Sequence, residues 1–184
     1  ALEACADFDK YMEGMIETKR RLPHTTFILM VYENTIEEIG YEKFLDFCLA
    51  NDFRDMILVG IKDEVIKNKL IAAGIRVSCY VQFDLKEAEV ASAKQSNGFV
   101  YLQAKPAPGQ ARPEYPELKD CIRCLREQGI DRPIYCGVGI HQPEDAAMAK
   151  AAGADAVFVG STILKLHDQP ELLEAKIREF KAKC

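Results

Sequence analysis

Residues 136–165 read CGVGIHQPEDAAMAKAAGADAVFVGSTILK, and the spacing within this stretch decides the fold. Two glycine turns, Gly137-Val138-Gly139 and Gly160-Ser161, each follow a short apolar run, and one helix length separates them. A glycine has no Cβ, so its N–H can come close to an anion and its backbone can take φ > 0 where the chain leaves a strand. Ser161 adds a hydroxyl donor at the start of a short helical piece, residues 162–166, whose free N–H groups favour negative charge. Between the turns, Gln142-Pro143-Glu144-Asp145 starts a helix with an early proline and first-turn carboxylates, and Gly153 closes it. About ten residues of helix run roughly 15 Å, enough to carry the chain back along a five-residue strand of roughly 16 Å. Both turns then emerge at one end of a parallel sheet. In (β/α)8 barrels the loops after strands 7 and 8, with a short extra helix, hold phosphate. Either glycine alone is also explained as an ordinary turn residue. The pair, with Ser161 and the short helix, points to a phosphate-type anion site.

Working outward, strand-length apolar runs start near residues 27, 55, 76, 98, 133 and 156, with helical patterns between them. The first run, residues 27–32 (FILMVY), is continuous and suits a sheet covered on both faces. Ala1 stands at the entry to a helix, with no strand before it. Helices are expected at residues 2–21, with Phe8, Met12, Met15 and Ile16 on one face, at 41–51, from Asp63 to Gly74, at 84–94, 117–128 and 170–181. Alternating strand and helix with short turns means a parallel sheet wrapped by helices. Residues 104–116, rich in proline and small residues, form the one long strand-to-helix loop, a length often used for a functional lid. No composition shift divides the chain, so one domain is expected. The fold expected is a TIM (β/α)8 barrel of the phosphate-binding type with six βα units visible. Two N-terminal units are expected to be absent from the sequence, because closure takes eight strands. The competing architecture is a doubly wound open sheet, which places ligands at the same carboxyl ends of the strands.

The 184 residues carry a net charge of -5, against the basic stripe a nucleic-acid surface requires, so local backbone donors must hold an anionic ligand. No apolar run is long enough to span a bilayer. Seven cysteines, several in apolar patterns, read as reduced thiols of a cytoplasmic protein. Cys121 and Cys124 form the only CxxC. Without a second pair or spaced histidines they read as two half-buried helix cysteines, and no metal is expected. Glu33, Glu37 and Glu38 read as a solvated acidic loop after the first strand.

Residues 136–165, with ILMVYENTIEEIG, ILVG and GFVYLQAK upstream, resemble the tryptophan synthase alpha subunit family along the whole chain. The resemblance begins at ALEA and implies phosphate ligands at Gly139, Ile140, Gly160 and Ser161. Gly109 or Gln110 falls where the family has a loop glycine, and Gly109 is expected as a further phosphate-binding residue. It implies pocket positions at Tyr32 and Tyr101, with Lys105 where a basic residue is usual. Phe99 and Leu102, by alternation, face away or line the pocket wall. His141, after the GVGI turn, is an acid or phosphate ligand or a solvent-facing residue. The implied reaction is cleavage of indole-3-glycerol phosphate to indole and glyceraldehyde 3-phosphate, with no cofactor. The family's acid and base carboxylates match no residue here and are expected upstream of Ala1. Its loop threonine is missing from AKPAPGQAR, and Ile61 stands where the family has an aspartate that communicates with the β subunit. Two alternatives stay open: a non-catalytic phosphate-ligand-binding barrel, or a lyase or isomerase for another phosphorylated substrate.

Overall fold

The computed structural model describes residues 7–62 and 64–184. They form two compact units, the first ending at Val77 and the second spanning Ser78–Cys184.

In the first unit, α1 (Phe8–Arg21) is capped by Asp7, whose carboxylate accepts from the N–H groups of Asp9 and Lys10. The helix entry expected at Ala1, with the rest of that helix before Asp7, lies outside the described residues. Asp63 lies outside them too; it is the expected start of the helix that runs Val65–Ala72 (α4). Strands β1 (Ile28–Tyr32) and β2 (Asp55–Val59) pair in parallel from Ile28↔Asp55 to Tyr32↔Val59. Leu29 and Val31 pack onto a core that includes Phe44, Phe47, Phe53, Met56 and Leu58. The other face of β1 is open, with Met30 59% and Tyr32 56% exposed, so the expectation of a strand covered on both sides fails there. Alternation explains the split: only every second β1 side chain reaches the core.

A second correction follows Tyr32. The chain enters α2 (Glu33–Ile39) at once and turns at Gly40 into α3 (Tyr41–Ala50). The acidic segment is therefore helical, and Glu33 is only 1% exposed, its carboxylate accepting from the Lys62 N–H at 3.2 Å. Glu37 pairs with the Lys62 ammonium at 2.5 Å. Strand β3 (Arg76–Val81) begins in this unit, where Arg76 N–H donates to Arg54 O at 2.7 Å and its guanidinium holds Asp55.

In the second unit the rest of β3 pairs in parallel with β4 (Val100–Gln103), β4 with β5 (Ile134–Gly137), and β5 with β6 (Ala156–Val157). All four β4 residues are buried, so this strand is covered on both faces. Helix α5 (Glu87–Gln95) starts three residues later than expected, because Phe83 and Asp84 make a turn that leaves Leu85 at φ +49. Helices α6 (Leu118–Glu127) and α7 (Pro143–Ala151) both carry capping boxes. Gly153, at φ +97, closes α7 as expected: its N–H donates to Lys150 O and that of Ala154 to Ala149 O. The short helix α8 covers Ser161–Leu164, and α9 (Pro170–Lys181) packs Phe180 inward. Among the described residues no helix is long and apolar enough to cross a membrane.

Cys121 is fully buried rather than half-buried, its thiol donating to Phe83 O, while Cys124 is the half-buried one. Burial pushes the thiols of Cys48, Cys121 and Cys136 up to about 12 from an ordinary 9.0. The folded chain thus holds these protons more tightly than the unfolded chain. Their contribution to stability is complete below pH 9 and is lost as pH rises toward 12. The urea midpoint should fall across that window, and more shallowly in Cys136→Ala; equal slopes would contradict the assignment.

Candidate anion site at the β5 and β6 corners

Parallel pairing of β5 with β6 puts the glycine turns that follow them at one end of the sheet, side by side. A side-chain bond then ties them: Thr162 Oγ1, in α8, donates to the carbonyl of His141 at 3.1 Å. Among the described residues the backbone N–H groups of Gly139, Ile140, Gly160 and Ser161 donate to no protein acceptor. Four such donors on adjoining corners suit a multiply charged oxyanion.

The two glycine corners differ in conformation. Gly139 takes φ +104, and a Cβ there would lie 2.8 Å from Cβ of Lys105. Gly160 sits at φ -97, so the left-handed conformation anticipated for both turns occurs only at the first. A Cβ at Gly160 would meet nothing within 4 Å. The lack of a side chain at Gly160 leaves the corner open. Val138, the residue between the first two glycines, also has positive φ, +58, and is exposed.

Lys105 is exposed, but its side chain is held along its length. Its stem lies on Gly139, and its ammonium contacts Asp145 at 2.5 Å. The second Asp145 oxygen accepts from the N–H groups of His141 and Gln142, at 2.8 and 3.0 Å. Burial opposes ionisation of Asp145, but the Lys105 ammonium and these two N–H groups outweigh it and hold the carboxyl below its usual range. The start of α7 thus already carries its own anion. Asp145 could have been found in the sequence as the third helical residue of a capping box; its pairing with Lys105, 40 residues away, could not.

Beside these corners stands an aromatic wall. Tyr80, Tyr101 and Tyr135 occupy matching register positions on β3, β4 and β5. Ring centroids are 5.3 Å apart for Tyr80–Tyr101 and 5.0 Å for Tyr101–Phe158. Phe99 shares the Tyr101 face and stacks on Tyr135 at 4.5 Å, whereas Leu102 is buried on the opposite face. Burial, then the neighbouring Tyr101, pushes the Tyr80 phenol up to about 12.

The remaining expected residues are placed as follows. His141 is exposed and enters the corner through its backbone. Gly109, at φ +76, is an exposed loop glycine with nothing near its Cβ position. Tyr32 and Ile61 belong to the first unit, Tyr32 exposed and Ile61 packed against that unit's core. Among the described residues no group of three or more His, Cys, Asp or Glu side chains is placed to hold a metal ion.

Parallel strands, each followed by a helix, with open corners at their carboxyl ends, define an α/β protein of the (β/α)8-barrel class. Solved structures share this fold. A tryptophan synthase complex from Pyrococcus furiosus aligns with a TM-score of 0.78 at 21% identity, over 99% of this chain and 76% of that one. A protein from Aquifex aeolicus VF5 aligns with a TM-score of 0.79 at 21% identity, over 96% and 68%. The chain belongs to the tryptophan synthase alpha chain family, whose model matches residues 1–184. The tryptophan synthase alpha chain of Synechocystis sp. is 34% identical over 142 residues, 75% of this chain and 54% of that protein. That of Trichodesmium erythraeum is 32% identical over 155 residues, 82% and 57%. The chain thus spans little more than half the length of these relatives.

Proposed function

We propose that these 184 residues form the phosphate-holding part of a tryptophan synthase alpha-type lyase, which cleaves indole-3-glycerol phosphate to indole and glyceraldehyde 3-phosphate. The observation that carries this reading is the Thr162–His141 bond, which joins two corners bearing four unpaired N–H donors. Gly139, Ile140, Gly160 and Ser161 would grip the phosphate, with the Lys105 ammonium beside them. Holding the phosphate fixes the reacting carbon relative to acid and base groups, a large share of what such a site contributes to rate. The aromatic wall at Tyr101 would receive the planar ring. The family's acid and base carboxylates match no residue from Ala1 onward, so the role assigned to this chain is binding and orientation.

A β subunit is the proposed partner, although Ile61 packs inward where the family has its communicating aspartate. That departure, and the missing loop threonine, favour a second reading: a barrel that binds a phosphorylated ligand without turnover. Titration with glycerol 3-phosphate, followed by NMR, separates the claims. The amides of Gly139, Ile140, Gly160 and Ser161 should shift together; saturable binding that leaves them unmoved would refute the site. Indole release by the full-length product, with the residues upstream of Ala1 and a tryptophan synthase β subunit present, supports the lyase, and binding without release by that same product supports the second reading.

A further inference from the structure

Residues 104–117, between β4 and α6, carry Lys105 to the Gly139 corner, and amide side chains outside the anion site tie this loop down. Gln110 has every hydrogen-bonding position filled. Its Oε1 accepts from Ala107 N–H and from Gln103 Nε2, both at 2.8 Å. Its Nε2 donates to Oε1 of Gln103 and Oε1 of Gln82, both at 3.1 Å. Gln103 ends β4 and is 6% exposed. Its Nε2 also donates to the Lys105 carbonyl at 2.7 Å, and its Oε1 accepts from Phe83 N–H at 3.2 Å and the Tyr80 hydroxyl at 3.3 Å. Gln82 is fixed in turn by Glu89 of α5, whose carboxylate accepts from its N–H and its Nε2 at 2.7 Å each.

A continuous set of bonds therefore runs from a helix carboxylate through two strand ends into the loop. Swinging the loop outward would strand buried amide groups without partners, which is more costly than the bonds are individually worth. Pro106 and Pro108 further restrict the loop backbone. A loop ordered during folding does not have to be ordered again when a ligand binds, so affinity is gained through preorganisation.

We infer that Gln82, Gln103 and Gln110 form an amide clamp that fixes the β4–α6 loop and sets Lys105 at the Gly139 corner before any ligand arrives. Gln110 is then a positioning residue, acting through Lys105; this last step rests on the anion reading above, whereas the clamp itself does not. The loop works as a fixed wall, not as a closing lid.

Hydrogen exchange by NMR tests the clamp directly. The Ala107 amide should be protected equally with and without saturating inorganic phosphate, and Gln110→Ala should speed its exchange at least about fivefold, the loss of one hydrogen bond. In phosphate titrations, Gln110→Ala and Lys105→Ala should each weaken binding, and the double variant should bind no more weakly than Lys105→Ala alone. A wild-type Ala107 amide that exchanges freely, or becomes protected only when phosphate is added, would overturn the clamp. Additive losses in the double variant would overturn the link to Lys105. If the wild-type protein binds no phosphate, the anion reading and the Lys105 link fall together, and Ala107 exchange alone decides the clamp.

Discussion

Gly137→Ala is expected to destabilise the fold by about 2–3 kcal/mol, the range for forcing an extra carbon into a packed core. A Cβ at this position would lie 2.4 Å from Cε2, 2.5 Å from Oη and 2.8 Å from Cζ of Tyr101. The ring has little room to retreat: it is 8% exposed, with Tyr80 at 5.3 Å on one side and Phe158 at 5.0 Å on another. The backbone cannot yield readily either, because Gly137 pairs with Gln103 across the β4–β5 ladder and its carbonyl accepts from Ala104 N–H at 2.7 Å. A urea unfolding series should show a lower midpoint at unchanged slope. Combining the change with Tyr101→Ala should lose less than the sum of the single changes, because removing the ring removes the clash. A Gly137→Ala protein as stable as the parent would mean that the tyrosine ring does not lie over this glycine.

Much of this architecture could be read from the sequence because strands and turns leave local signals. The six apolar runs became six strands with ends shifted by one or two residues, and Gly153 closed α7 as a glycine after a helix should. The adjacency of the two glycine corners was also legible, since a helix of known rise must return the chain to the next strand's start. What escaped was everything that depends on who meets whom across the fold. Glu33 looks like one more surface carboxylate until Lys62 N–H, 29 residues on, is found against it. Lys105 looks unpartnered until Asp145 closes on it. Gln82, Gln103 and Gln110 lie at no recognisable spacing, and only parallel strand ends and a folded loop bring their amides together. Gly160 taught a finer point: its sequence context matches that of Gly139, yet its φ is -97 and a Cβ there would meet nothing within 4 Å.

That difference makes Gly160→Val the sharper test of the anion site. At Gly139 a side chain would meet both the Lys105 stem and a left-handed backbone, so lost binding there could follow from lost structure. At Gly160 the φ is negative and the space is empty. The substitution should therefore change stability by no more than about 1 kcal/mol, as for most surface positions. The branched side chain would nevertheless stand over the N–H groups of Gly160 and Ser161, where the anion must approach. Losing two charge-assisted hydrogen bonds corresponds to roughly 3 kcal/mol or more, so affinity for inorganic phosphate or glycerol 3-phosphate should fall at least about 100-fold. Ser161→Ala removes only the hydroxyl donor and should fall by about tenfold, one bond's worth. Calorimetric titration of the two variants beside the parent, with the unfolding midpoints measured in parallel, reads both quantities. A Gly160→Val protein that folds normally and binds phosphate as tightly as the parent would remove the second corner from the site, and with it the reason for placing an anion between β5 and β6.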